Sequence, residues 1–598
     1  MIKKVVLPDY LKDGGIEHCK KGYKGPWRLA SADTETVHGK PYTLQLCFDG
    51  KAPIVKYVHR GNILPIFTSE LCKWAQKGAT NAIFFHRLSF DMQAILYNHQ
   101  QLFSSLKRDF HIRVRCLSCG HWHFYHCFTD KTWFARITFS KNRMVHVLDS
   151  LAFFHTSLEK AAKLVKSPFA KLKRPKGLGE RRLKDRYFQK YIRADVLAQW
   201  HLGAAIEKIH KDQDVQLSVS LPHLASRVFK HRFLRPGDRM EVPPDHVRLA
   251  AELSYHGGKN QMSVKPGWYK NVSELDLNSA YTWAMSQLPS FLEGEYVRVQ
   301  GIPKKGCHGI VCVSGTVQCK YGIVFTHNFK RINGKFRNIW ITTYELESAL
   351  KHGDLEVDKC KGYIWISKSD YNPIKAFAQH FWEDRKAKIK IYGKKCLETD
   401  TPKLICNSLY GKWLQQIRQF EGVTVNEERE IGVNEYYLAG SSYHPFVGTL
   451  ITGAVRALIH KFEHKYDSIH TSTDAVKTLM KPDPRDINKE LGGLNLEVYG
   501  DCLLIRPKLY IHYKKGFNPR SKEGKPKAAL HGFRAKWQDL LDASELILKG
   551  KRFEYFIRHC FTVRQVLGRR RGKRMAALDF VKIPAVLNPP EYLDRAPS

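Results

Sequence analysis

The strongest constraint on this chain is a series of isolated carboxylates at the ends of apolar segments, running from residue 33 to residue 474. The first is Ala32-Asp33-Thr34-Glu35-Thr36, closing a strand predicted from Trp27. Residues two apart on a strand share a face, so Asp33 and Glu35 converge. Phe84-Phe-His-Arg-Leu-Ser-Phe90-Asp91 places a third carboxylate between an apolar strand and a helix. Tyr191-Ile-Arg-Ala-Asp195 puts a tyrosine and a fourth on one helical face. D-x-E alone is a weak signal, since acidic residues at strand ends are common. Four carboxylates with a tyrosine, however, suit two divalent ions and a water attacking a phosphodiester.

A second set follows. Ser273-Glu-Leu-Asp276-Leu-Asn-Ser279-Ala-Tyr281 reads as a strand entering a helix, with Asp276 at the strand end and the Leu277 carbonyl beside it. Ile469-His-Thr-Ser472-Thr473-Asp474-Ala-Val476 reads as a hairpin turn. Two Asp carboxylates bridging two Mg²⁺ are what nucleotidyl transfer needs, to activate a 3′-hydroxyl and neutralise a triphosphate. Between them, Lys403, Asn407, Tyr410 and Gly411 fall on one helical face, offering a cation, an amide and a ring. Thr401 and Pro402 read as the N-cap and first residue of that helix, which would add dipole attraction for phosphate. Lys508-Leu-Tyr510 reads as a cation and an aromatic on one strand face.

Charge agrees with such chemistry. Lys and Arg number 98 against 57 Asp and Glu, a net +41, so nucleic acid is the expected partner. Two basic clusters stand out: residues 166–193, with eleven Lys/Arg interleaved with aromatics, and Arg569-Arg-Arg-Gly-Lys-Arg574. At 598 residues and 43 % hydrophobic content the chain is multidomain and not disordered. No apolar run reaches a membrane span, and Met1–Pro8 is too short for a secretory signal. Fourteen scattered cysteines fit reduced thiols, hence a cytoplasmic protein, in the host cytoplasm if viral.

The carboxylates of the first third resemble the three motifs of DEDD-type 3′–5′ exonucleases. Asp276-x-x-Ser279-x-Tyr281, Lys403-x3-Asn407-Ser408-x-Tyr410-Gly411, Thr473-Asp474 and Lys508-x-Tyr510 resemble motifs A, B, C and K-x-Y of family B DNA polymerases. Tyr255-His-Gly257-Gly258 is similar to the linker motif of the protein-primed branch, that of phi29-type phages and linear plasmids. The resemblance implies that Asp33, Glu35, Asp91 and Asp195 hold exonuclease metals, with Tyr191 assisting. It implies that Asp276, Leu277 and Asp474 hold polymerase metals, each site taking two Mg²⁺ or Mn²⁺. It further implies that Tyr281, Lys403, Asn407 and Tyr410 bind the nucleotide, Tyr281 excluding ribose. Phe90, Ser150, Leu151, Tyr255, Gly257, Gly258, Ser408, Gly411, Lys508 and Tyr510 would contact DNA.

The implied fold is α/β and α+β multidomain: an RNase H-like exonuclease domain (1–215), then a right-hand polymerase. Its parts would be palm (216–300 and 441–515), fingers (371–412) and thumb (516–598). The surplus length at 301–370 fits the branch's terminal-protein insertion, and 413–440 a second insertion. Expected partners are template and primer DNA, dNTPs and a priming terminal protein, with no membrane and a monomeric state. Three departures stand out: Arg87 where relatives carry Asn, Ser472 for the first Asp of motif C, and Thr282 for a Pro after Tyr281. A primer-independent polymerase and a polymerase-inactive, DNA-binding exonuclease are the alternatives. Cys116-Leu-Ser-Cys119-Gly is a zinc half-site that His126 or Cys127 would complete; with no second Cys-x2-Cys, free thiols are the expectation and a structural Zn²⁺ at Cys116 and Cys119 the alternative.

Overall fold

The computed structural model of the chain describes every residue outside 1–4, 13–14, 38–39, 59–62, 99–108, 130–132, 170, 174, 176–184, 426–430, 518–524, 561–579 and 590–598. The Arg569–Arg574 cluster and part of the 166–193 cluster therefore lie outside the described residues.

Asn81-Ala-Ile-Phe-Phe85 has no polar alternation, and it is buried at all five positions. Such a strand needs cover on both faces and neighbours on both edges. Its parallel neighbours are Arg28–Val37 and Arg143–Asp149. The sheet continues antiparallel on one side through Lys40–Phe48 and Ile54–Tyr57, and on the other through Trp133–Ser140, Trp122–Thr129 and Asp109–Arg115. The three parallel strands thus sit in the middle of an eight-stranded mixed sheet. Helices Ile63–Trp74 and Leu88–Ile95 cover one face, and the 27-residue helix Arg186–Asp212 covers the other. That helix comes so close at Gly203 that an added Cβ would meet the Phe84 ring at 2.7 Å.

A seven-stranded antiparallel sheet follows. Gly267–Leu277 lies between Ala475–Thr478 and Leu494–Arg506, and Asn260–Met262, His470–Ser472, Leu509–His512 and Lys527–Leu530 complete it. The almost wholly buried helix Pro445–Lys465 and helix Ala280–Gln287 pack behind it. A separate four-stranded sheet is built from Gly294–Gln300, His308–Val317, Gly334–Thr342 and Leu355–Ser367, with helix Thr343–Lys351 against it. It starts before residue 301, the boundary expected from the sequence.

Helices Pro373–Tyr392 and Leu397–Leu409 form a pair. The first starts cleanly: the Asn372 side chain accepts from Lys375 N at 3.0 Å, and Pro373 occupies a position whose N–H has no helical partner. The second corrects the sequence reading. It begins at Leu397, capped by Cys396, and Pro402 sits inside it. Thr401 is no cap; its hydroxyl donates to Leu397 O at 2.7 Å, within the helix. Glu398 and Asp400 occupy the first turn, so that N-terminus favours no phosphate.

The hairpin Gln416–Val425 and Ile431–Ala439 fills the second expected insertion, and Val5–Val6 joins it as a parallel third strand. Among the described residues, no helix is long and apolar enough to cross a membrane.

Candidate active site

Two clusters of carboxylates lie in the two large sheets. In the first, Asp33 and Glu35 come from strand Arg28–Val37, Asp91 from the first turn of helix Leu88–Ile95, and Asp195 from helix Arg186–Asp212. Asp91 is locked in place: Thr34 donates to its Oδ1 from both N (3.0 Å) and Oγ1 (2.8 Å). The turn before it needs help, because Arg87 stands in the left-handed region at φ 78°. Asp149 supplies that help, accepting Arg87 N and Leu151 N on one oxygen, each at 2.9 Å.

The four carboxylates repel one another away from water. Burial first, then Asp91, Glu35 and Asp195, hold the Asp33 carboxyl far above its ordinary range. Burial pushes Asp91 up to about 8 against its bonds from Thr34. Asp195 is also raised by burial, while Lys171, 3.8 Å away, and a hydrogen bond from Tyr191 pull it down. Its Oδ1 is buried with no hydrogen-bond partner among the described residues. Buried carboxylates in mutual conflict, one with an unsatisfied oxygen, have the chemistry of a divalent-cation site.

In the second cluster, Asp276 ends the central strand and Asp474 occupies the two-residue turn between His470–Ser472 and Ala475–Thr478. Leu277 N donates to Asp474 O at 2.8 Å, tying the strand end to the turn. Thr473 takes a left-handed conformation at φ 59°, and its N–H bonds Lys259 O at 2.7 Å. Gly258 makes room for that turn, since a Cβ there would stand 2.4 Å from the Thr473 methyl. Burial and then the Asp474 charge push Asp276 up to about 7. Burial raises Asp474 too, against the pull of Lys403 and Lys527. Ser472 is paired backbone to backbone with Asn260 and Ala475.

The helix Leu397–Leu409 brings its predicted face here. Lys403 is exposed, its charge felt by Asp474, and Asn407 Oδ1 is buried without a partner among the described residues. The Tyr281 and Tyr410 rings stack at 4.1 Å and 2°, with Tyr255 near enough to influence both. Thr282, in the place of the usual Pro, donates to Cys406 Sγ at 3.2 Å and couples the two helices. Ser408 is half-buried, and neither Gly411 nor Gly257 has a heavy atom within 4 Å of where a Cβ would stand, so both leave room for an approaching ligand.

Two expected DNA contacts are corrected. Ser150 is fully buried, its hydroxyl donating to Phe85 O and bonded to His86 Nδ1, each at 2.9 Å, so no strand can reach it; Phe90 and Leu151 are half-buried. Lys508 is not on the strand face of Tyr510. It occupies the hairpin turn at φ 60°, while Tyr510 is buried under the Lys477 ammonium, 4.1 Å from its ring.

Sequence reading missed the charges that brace this site. Glu274 accepts from Lys477 (2.6 Å) and Lys527 (2.9 Å) and bonds His512 (3.2 Å); despite burial, these partners hold its carboxyl well below the usual range. The spacing Glu274-x-Asp276 was the available signal. Arg456, fully buried, donates to Glu345 Oε1 at 2.7 Å, to Gly257 O at 3.0 Å and to His256 O, thereby holding the Tyr255–Gly258 segment. Lys259 pairs with Glu463 in the same layer. Cys116 and Cys119 also acquire partners other than those expected: Cys72 and His123, while Cys127 is buried in the sheet's core and His126 lies on the opposite strand face from His123.

The complex of phi29 DNA polymerase with primer-template DNA and incoming nucleotides superposes with a TM-score of 0.66 at 16 % identity, over 95 % of this chain and 100 % of that one. The phi29 enzyme with single-stranded DNA gives 0.63 at 16 %, over 94 % and 100 %. At that identity the likeness establishes a shared multidomain fold. The comparison with curated proteins finds no match. The family model for DNA polymerase type B, organellar and viral, matches residues 180–484, a stretch that holds Asp195, Asp276, Lys403, Asn407 and Asp474 and amounts to just over half of the chain. The chain therefore belongs to the type B DNA polymerases of organelles and viruses, enzymes of DNA-directed DNA synthesis.

Proposed function

We propose that the polymerase acts at Asp276 and Asp474 and proofreads at Asp33, Glu35, Asp91 and Asp195, copying a linear viral or plasmid genome from a protein primer. The observation that carries the two-site reading is the pair of separate carboxylate clusters, each with acids pushed toward neutrality by burial and by one another. Such clusters bind protons or cations, and divalent ions, Mg²⁺ or Mn²⁺, fit both donor sets. Bound there, the ions would lower the pKa of an attacking hydroxyl or water and offset phosphate charge.

The chain's own residues do the rest. Lys403 presents its cation to the triphosphate from the helix facing Asp474. Asn407 offers an amide whose oxygen is otherwise unspent. The stacked Tyr281 and Tyr410 form a rigid aromatic wall suited to exclude a 2′-hydroxyl and so favour deoxyribose. In the other cluster, the Tyr191 hydroxyl and Lys171 steady Asp195, and Tyr191 is suited to orient the hydrolytic water. In this reading 1–215 degrades, 371–412 forms the fingers, and the palm is 216–293 with 441–515; Lys527–Leu530, within the stretch expected as thumb, completes the palm sheet, leaving the rest of 516–598 as thumb. The four-stranded sheet is suited to receive the priming protein.

A primer with a mispaired 3′ end tests proofreading. The parent should excise the mismatch and extend, while Asp33→Ala should retain it; extension of the mismatch at equal rates by both would count against the first cluster. Incubation with labelled dATP and template but no oligonucleotide tests priming. Label on an added protein supports protein priming, whereas label in free nucleic acid supports the primer-independent alternative.

A further inference from the structure

Separate from both carboxylate clusters, four soft ligands converge at the outer edge of the eight-stranded sheet. Cys72 comes from the last turn of helix Ile63–Trp74, Cys116 and Cys119 from the turn between Asp109–Arg115 and Trp122–Thr129, and His123 from the latter strand. One donor atom from each lies within 4.8 Å of every other. The edges are 3.8 Å for Cys72 Sγ to Cys119 Sγ, 3.8 Å for Cys72 Sγ to His123 Nε2, and 3.2 Å for Cys119 Sγ to His123 Nε2. A tetrahedral ion with Zn–S near 2.3 Å and Zn–N near 2.0 Å needs S···S edges of about 3.8 Å and S···N edges of about 3.6 Å. We propose that Cys72, Cys116, Cys119 and His123 form a closed structural zinc site.

Local geometry supports the assignment. Gly120 N donates to Cys116 O at 3.0 Å, and Cys116 N to His121 O at 2.9 Å, closing a tight reversal. Gly120 holds φ 73°, a conformation glycine adopts without steric cost, and this closes the reversal that carries Cys116 and Cys119. The Ser118 hydroxyl stands 3.0 Å from the Cys116 sulphur, within hydrogen-bond reach. Three thiolates and a neutral imidazole on Zn²⁺ leave one net negative charge. Arg143 is placed to offset it, donating to Cys72 O and to Ala75 O (3.0 Å) with its charge felt by His123. Cys72, Cys116 and His123 are at most 5 % exposed and Cys119 is exposed; four protein ligands fill a tetrahedral set, as in structural rather than catalytic zinc.

The other cluster of this kind satisfies itself without an ion: His460 and His464 both bond Asp354 Oδ2, at 3.0 and 2.7 Å. In the proposed site no carboxylate takes part among the described residues, and Cys72, Cys116 and Cys119 are free thiols. The ion would tie the outer hairpin to helix Ile63–Trp74, an edge with little apolar cover of its own: Leu117 and Trp122 are 69 % and 54 % exposed.

The test is metal content of the full chain purified without chelator, by mass spectrometry. One zinc per chain is expected, displaced by a mercurial reagent in step with three thiols. Cys72→Ser, distant in sequence from the Cys-x2-Cys turn, should lose the metal, and His126→Ala should keep it. Cobalt exchanged into the parent should give the intense visible bands of tetrahedral thiolate coordination, a readout independent of how any variant folds. A zinc-free parent that also rejects cobalt, or zinc retained by both Cys72→Ser and His123→Ala, would overturn the proposal.

Discussion

Replacing Asp276 by Asn keeps the shape of the side chain and removes one of two opposed charges. Burial and Asp474 move Asp276 from an ordinary 3.8 to about 7. A shift of roughly three pKa units corresponds to about 4 kcal/mol between its two protonation states. Solvent reaching a half-buried carboxylate screens this to about 2 kcal/mol. The sign follows from linkage: an acid whose folded pKa exceeds its unfolded value binds protons more tightly when folded, so the metal-free fold loses stability as pH rises from about 4 to about 7. At about pH 8 in EDTA, Asp276→Asn should therefore be more stable than the parent by about 2 kcal/mol. For a melting unit of ~150–250 residues this is roughly 4–8 °C in Tm. At about pH 4 the parent is already protonated and the difference should vanish. Mg²⁺ should stabilise the parent more than the variant, and synthesis should fall ~10³-fold. Thermal melting at both pH values, with EDTA or Mg²⁺, checks each arm. A variant less stable than the parent at pH 8 in EDTA, or equally stabilised at both pH values, would refute the reasoning.

Three further outcomes are expected. Lys171→Ala removes the cation that pulls Asp195 down, so the acid limb of single-strand degradation should move to higher pH while primer extension stays put; an unmoved limb in a pH series contradicts this. Arg456→Met leaves Glu345 charged and buried without its partner and should cost about 3–5 kcal/mol in urea unfolding; the double variant with Glu345→Gln should recover most of it. Tyr281→Val breaks the stack with Tyr410 and should erode discrimination between deoxyribo- and ribonucleotides by ~10²-fold in kcat/KM ratios for single-nucleotide incorporation.

What was legible in the sequence was local. Asp33 and Glu35, two apart on a strand, share a site, as alternation requires; Lys403 and Asn407, four apart on a helix, share a face. The hairpin turn at Asp474 was readable because polar Ser472-Thr473-Asp474 interrupts two β-branched segments. Errors arose where a short-range signal had two meanings. Pro402 reads as a helix start, yet Cys396, Glu398 and Asp400 make an earlier start cheaper, and the Thr401 hydroxyl offers Leu397 O a second donor. Lys508 reads as a strand residue, but two residues suffice to turn the hairpin there. Ser150 reads as a surface contact until Phe85 O and His86 claim its hydroxyl. Other features were out of reach because their partners are far apart in sequence. Arg456 meets Gly257, Lys259 meets Glu463 and Val5 pairs with Tyr437, contacts that only the closed chain brings together.

The central claim is that one chain holds two separable metal-dependent sites. It is tested most directly with an end-labelled primer on a longer template and Mg²⁺, with and without dNTPs, using the parent, Asp474→Asn and Asp33→Ala. The parent should lengthen the primer with dNTPs and shorten it without them. Asp474→Asn should lose lengthening alone, and Asp33→Ala should lose shortening alone. A parent that only shortens the primer under both conditions, or a single substitution that abolishes both reactions, would contradict the account.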